Sequence, residues 1–189
     1  MIVHPPASRS RRLGLQGLGH GDRLAAELGR HLDDAHHWFR AVVPGGPEPI
    51  DAVVVGTGGS WAITRAGERG RFHRRNGHWY RWSRATDSWV PWEAEPVTTA
   101  RLAGRRLSLY LERAALPAAV ESVLMPPTGT ELEWEPGERI GVHIEPAADR
   151  LAERIARDEV LNPAQVDRIV ALLDPRQPLP RLAPSARNG

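Results

Sequence analysis

The apolar positions along this chain change period several times, and each change marks a change of element. From Gly21, Leu24, Leu28, Leu32, Ala35 and Phe39 recur at steps of four or three, which predicts one helical stripe from an acidic start at Asp22. A short strand over 40–43 and a loop in "PGGPEP" follow. Val53, Val54 and Val55 form a β-branched block bounded by Gly56, Gly58 and Gly59, and Trp61, Ala62 and Ile63 then resume an apolar run. Two adjacent, largely buried strands joined by a Gly turn are expected there. Residues 71–75 and 79–83 flank Asn76-Gly77, the strongest short-range hairpin signal. Ala100, Ala103, Leu107, Tyr110 and Ala114 make a second helical stripe after Pro96, ending before Pro117. Val120, Val123 and Leu124, then Ile140, Val142 and Ile144, predict two strands separated by an acidic loop. Leu151, Ile155 and Ala156 open a helix, and Asn162-Pro163 caps another with Val166, Ile169, Val170 and Leu173 inward. The sum is an α/β chain: a mixed sheet with helices on its faces.

Both ends break this patterning. Residues 1–19 and 174–189 mix Pro, Ser, Gly and Arg without period and read as disordered tails around a domain at 20–173. A chain of 189 residues suits one α/β core of about 150 residues plus tails. No apolar stretch approaches the roughly 18 residues of a membrane span, and the N-terminal segment lacks a signal peptide's apolar middle. The expectation is a soluble, cytoplasmic protein with no membrane partner.

Composition narrows the chemistry. The absence of Cys excludes disulfides, Cys-based zinc sites and thiol redox chemistry. All 25 basic residues are Arg, so a lysine Schiff base is excluded as well. Five of the seven Trp fall between Trp61 and Trp92, and between Arg65 and Arg84 there are seven Arg against one acid, Glu68. Alternation places Arg71, His73 and Arg75 on one side of a strand and Phe72 and Arg74 on the other, with Arg81 opposite Tyr80 and Trp82. An Arg-lined hairpin with aromatic neighbours suits phosphate contacts and base stacking. Arg65, Arg69, Arg71, Arg74, Arg75, Arg81 and Arg84, with Trp79 and Trp82, are the candidate nucleic-acid contacts. The same residues equally describe an edge hairpin whose Arg stems cover apolar surface and whose rings complete the core, or a surface that docks a protein partner or a second copy.

Several short phrases stand in an informative order: Gly21-Asp22, Ile50-Asp51, Ile63-Thr64-Arg65-Ala66 with Gly67 and Gly70 nearby, Asn76-Gly77-His78-Trp79, Pro96, and "LNPAQVDRIVALL" from Leu161. Over roughly 21–173 this order resembles the nuclease-related domain (NERD) family. The resemblance implies a restriction-endonuclease-like fold, a mixed central sheet flanked by helices. It also implies a site with Asp on one strand and Glu-x-Lys on the next, binding Mg²⁺ beside the attacking water. Here Asp51 keeps the family's Asp and Asp22 stands in place of a Glu, but Thr64 and Ala66 replace the Glu and Lys. One strand carboxylate with Asp22 offers too few hard oxygen ligands for a good Mg²⁺ site. No cofactor is therefore expected, with Mg²⁺ required only if catalysis persists. Glu68 is the nearest substitute carboxylate, although between Gly67 and Gly70 it also reads as a solvated turn residue. Asp22 reads first as a helix cap, and Arg65 can bind phosphate but stays protonated, which makes it a poor proton carrier.

Three other constellations carry less. His31, His36 and His37 read as a solvated helix face, since their spacing does not converge on one ion. His143 and Glu145 alternate onto one strand face and would line Asp51's cleft if the strands were neighbours. "LAERIARDEVLNPAQVDRIVALL" has the outline of a helix-turn-helix, but Arg168 is nearly the only exposed base on its second helix, so it reads as core packing. The expectation for function is a NERD-like pseudo-nuclease that binds DNA through its Arg/Trp hairpin. The alternatives are a metal-dependent nuclease with a rearranged site at Asp22, Asp51 and Glu68, and a non-enzymatic protein-interaction or structural domain.

Overall fold

Residues 1–4, 18–45, 48–66, 68–135 and 140–174 are described in this computed structural model, with side chains of the first helix described from Arg23 onward. In chain order the first half runs β1 (Ile2–Val3), α1 (Leu18–Leu28), β2 (His37–Val42), β3 (Ile50–Gly56), β4 (Gly59–Arg65), β5 (Arg71–Arg75) and β6 (His78–Ser83). The second half runs β7 (Ser88–Pro91), α2 (Glu95–Arg113), β8 (Val120–Met125), β9 (Glu131–Trp134), β10 (His143–Ile144), α3 (Ala148–Ile155) and α4 (Pro163–Leu173). These elements make a mixed α/β fold with two mixed sheets.

The central sheet has the order β1-β2-β3-β4-β8-β10. β2, β3 and β4 form an antiparallel meander, while β1, β8 and β10 join their neighbours in parallel. The parallel step from β4 to β8 uses α2 as its crossover, as parallel pairing requires. Apolar residues of both parities in β3 and β4 follow from burial on both faces. Ala52, Val54, Trp61 and Ile63 pack under α1 and α3 with Leu24, Leu28, Leu151 and Ile155. Val53, Val55 and Ala62 pack on the other side under α2 and α4 with Leu107, Leu111, Val166 and Ile169. Helices α3 and α4 therefore lie on opposite faces of the sheet, which accounts for their apolar stripes as core and not as a helix-turn-helix.

The second sheet, β7-β6-β5-β9, takes β5, β6 and β7 from the link between β4 and α2 and β9 from the link between β8 and β10. Its hairpin β5–β6 turns at Asn76 and Gly77, both at positive φ (51° and 80°) as the tight turn requires. One face packs onto a third apolar cluster of Val97, Ala100, Leu124 and Ile140, joined by Trp79 and Trp92. Phe72, 3 % exposed, packs against Trp92 with the rings tilted by 38° and their centroids 4.3 Å apart.

Several expectations need correcting. The first helix ends at Leu28. Leu32 keeps its place in the core, but the Asp33 carboxylate accepts from the Ala35 N–H at 3.1 Å and lies 2.7 Å from His36 Nδ1, turning the chain. Phe39 then belongs to β2 and is buried on the opposite face of the sheet from Leu24 and Leu28. The helix also begins at Leu18, so Asp22 sits inside it and is not its cap. Residues Ile2–Val3, expected in a tail, pair in parallel with His37 and Trp38, and Ile2 N–H donates to His36 O at 2.8 Å. The "acidic loop" contains β9, which pairs with β5 in the second sheet. The last predicted strand shrinks to His143–Ile144. The rest of the expected tails, 5–17 and 175–189, and Gly67 lie outside the described residues.

Candidate nucleic-acid interface

Register alone sorts the hairpin's side chains. Phe72 pairs with Arg81, His73 with Tyr80, Arg74 with Trp79 and Arg75 with His78, while Trp82 pairs with Trp89 of β7. Arg71, His73, Arg75, Tyr80, Trp82 and Trp89 thus share the outer face, and Phe72, Arg74, Trp79 and Arg81 the inner one. The outer rings form a patch: His73 lies 4.1 Å from Trp89 and 5.2 Å from Tyr80, and Trp82 meets Trp89 edge-on at 5.4 Å. The Arg71 guanidinium lies 5.5 Å from the Trp82 ring centroid and 5.8 Å from that of Trp89, within cation–π range. Both Trp rings are half-buried, so the patch is a floor open to solvent.

At the end of the sheet where β5 begins and β6 ends, the two faces meet in an open cleft of about 610 Å³. Arg69, Arg71, Arg81 and Arg84 line it with Trp82, Gly129 and Glu131. Two of the four cations are engaged. Arg71 Nε donates to Glu131 Oε2 at 2.8 Å, and Arg81 Nη1 points at both Glu68 oxygens from 3.4 Å. All four of these side chains are about half exposed, so the pairs are screened and weak. Among the described residues, no ion pair within 4.0 Å is formed by Arg69 or Arg84. β9 and the residue after it supply acids: Glu131 and Glu133 stand beside Arg71 and His73, and Glu135 lies 3.8 Å from Arg75.

Five of the nine sequence candidates for nucleic-acid contact therefore converge on the cleft: Arg69, Arg71, Arg81, Arg84 and Trp82. Arg75 lies farther along the outer face. Trp79 is turned inward onto the core, Arg74 shares its face, and Arg65 closes β4 in the other sheet. Trp89 was not among the candidates. The alternation of Ser88-Trp89-Val90 after the polar turn at 84–87 could have revealed its strand and, with it, a third member of the ring patch.

Of the candidate catalytic residues, Asp51 and Asp22 stay apart from this surface, whereas Glu68 meets it through Arg81. Asp51 is exposed at the start of β3, and its Oδ2 accepts the Arg65 backbone N–H at 2.9 Å, so the carboxylate caps the end of β4. Thr64 beside it is 6 % exposed. Asp22 lies on α1, and Glu68 faces Arg81. Among the described residues, no three His, Asp or Glu side chains are grouped to hold a metal ion.

The histidines also separate. His36 is a buried loop residue and His37 a half-buried β2 residue, so they do not share a solvated helix face with His31. His36 Nδ1 donates to the Asp33 carboxylate, and this hydrogen bond holds Asp33 below the usual carboxylate range. His37 Nδ1 lies 3.1 Å from His4 Nε2, and burial, helped by the nearby His4, pushes its pKa down. His143 lies on β10, separated from β3 by β4 and β8, with Nε2 3.1 Å from Glu121, while Glu145 pairs with Arg154 of α3. Neither reaches Asp51's strand. Comparison with protein-family profiles, with curated proteins and with solved structures returned no match. Among the described residues, no helix is long and apolar enough to cross a membrane.

Proposed function

We propose that this chain is a nuclease-like domain that binds DNA through the Arg-lined end of its second sheet and lacks efficient cleavage chemistry. The observation that carries the reading is the convergence of Arg69, Arg71, Arg81 and Arg84 with one Trp ring around a single open cleft. Clustered guanidiniums attract phosphodiester chains and release counterions on binding, and an adjacent ring offers a stacking surface. The restriction-endonuclease-like scaffold is supported by the mixed central sheet with helices on both faces. The loss of catalysis is supported at the end of β4, where Thr64 and, just past it, Ala66 stand where the resemblance to the NERD family would place Glu and Lys. Neither can ligate Mg²⁺ as a carboxylate or present an ammonium to water.

The test is binding and cleavage of end-labelled DNA at low and high salt with Mg²⁺, Mn²⁺ or EDTA. Binding that weakens steeply with salt, equal with metal and with EDTA and without product, is expected. Metal-dependent cleavage abolished by Asp51→Ala in a folded protein would move the assignment to a nuclease with a rearranged site. No binding at any salt would move it to a protein-interaction domain.

A further inference from the structure

We infer that the DNA taken by this surface is single-stranded, with a base laid against Trp82 and its flanking phosphates held by Arg69, Arg71, Arg81 and Arg84. The inference rests on the DNA-binding reading above and names its substrate class. Three features of the cleft point the same way.

The first is shape. B-DNA is read in its major groove by a helix or a two-stranded ribbon that fits inside it. Hairpin β5–β6 is not a free ribbon, because β7 pairs on one side of it and β9 on the other. Among the described residues, no helix lines the cleft, whose walls are strand ends, residues 69–70 and 83–85, and Gly129. A duplex would touch only its rim, whereas a single strand can enter.

The second feature is the ring. Trp82 lines the cleft beside four guanidiniums, and its ring is still half open to solvent. A base in a duplex has both faces covered by its neighbours. A base in a single strand has a face to give, and stacking on an aromatic side chain is indifferent to which base it is.

The third is the charge gradient across the outer face. Glu131 and Glu133 on β9, with Glu135 just past its end, form an acidic column; then come Arg71, His73 and Arg75 on β5, then Trp82 and Tyr80 on β6 and Trp89 on β7. The acidic column repels a phosphate chain from one side, so the strand leaves the cleft across the rings toward β7. Glu131 also competes with phosphate for Arg71 at 2.8 Å. Removing its charge should tighten binding.

The experiment compares a fluorescein-labelled oligothymidylate of about ten nucleotides with a duplex of equal length by anisotropy, on the full chain, with intrinsic Trp fluorescence read in parallel. The expected result is single-strand affinity about tenfold above that of the duplex, with quenching of Trp emission. Trp82→Ala should cost about tenfold on the single strand and little on the duplex, Trp82→Phe should recover most of that loss, and Glu131→Gln should tighten binding severalfold. Duplex binding as tight as single-strand binding by the unaltered protein overturns the inference while leaving DNA binding in place, whatever the variants do. Full single-strand affinity in a folded Trp82→Ala protein overturns it too. Binding of neither nucleic acid overturns the DNA-binding reading as well.

Discussion

Trp79 and Trp82 are three positions apart in one strand and therefore lie on opposite faces of it. Trp79 packs edge-on against Trp92 at 6.2 Å over the third apolar cluster, while Trp82 faces solvent beside Arg71. Trp79→Ala should cost about 2 kcal/mol or more, as loss of a core aromatic does, and show as a lowered denaturation midpoint. Trp82→Ala should leave that midpoint close to the parent's and act on DNA binding. The opposite faces of these two rings were legible from alternation. Which face was core was not, because Trp and Arg occur on both and only the position of the α2 start decides. Gly58 illustrates a different limit. A methyl group there would sit 2.0 Å from the Ile155 carbonyl oxygen, so Gly58→Ala should destabilise by about 1–3 kcal/mol in chemical denaturation. The sequence marks Gly58 as a turn residue but cannot show that the end of α3 rests against it.

Elements with local signals came out close to their predicted bounds. Asn76-Gly77 locates the hairpin, Pro96 falls within the first turn of α2, and Asn162 caps α4. At α4 the Asn162 Oδ1 accepts from Gln165 N–H, and Gln165 Oε1 accepts from Asn162 N–H, both at 2.9 Å. Asn162→Ala removes one of these reciprocal bonds and should cost about 1 kcal/mol, measurable in urea denaturation. The elements that were missed depend on distant partners. β9 reads Glu-Leu-Glu-Trp, too polar to stand out, and becomes a strand because Arg71 and Phe72, sixty residues earlier, offer it a parallel edge. The first helix is shorter than its apolar stripe predicts for a related reason. Its stripe continues in register past Leu28, but the run from His37 gains more by pairing with β3 than by winding another two turns.

At the scale of the whole molecule, the central sheet carries the stability and the second sheet carries the cations. The edge of the central sheet should respond to acid. His37 has its pKa pushed below the usual histidine value of 6.5 by burial, with His4 next to it. The unfolded chain therefore takes up that proton more readily than the folded one, so stability is complete above about pH 6.5 and falls as pH drops toward the lowered value. Thermal melts between pH 7.5 and 5 should show this fall, and His37→Phe should flatten it. The Asp51 region and the Arg cleft are separate sites, an arrangement the sequence could not reveal because Arg65 and Arg69 are near neighbours in the chain, yet Arg65 closes β4 of the central sheet and Arg69 lies just ahead of β5 in the second.

The most direct test of the account is the salt dependence of single-stranded DNA binding by the parent protein and by an Arg69→Ala/Arg84→Ala double variant. With two to four phosphates neutralised in the cleft, log K should fall against log salt with a slope of about −1.5 to −3, and the double variant should bring that slope nearer zero by about 1.4. A slope near zero in the parent, or the same slope in both proteins, would contradict the assignment of this cleft as the DNA-binding surface.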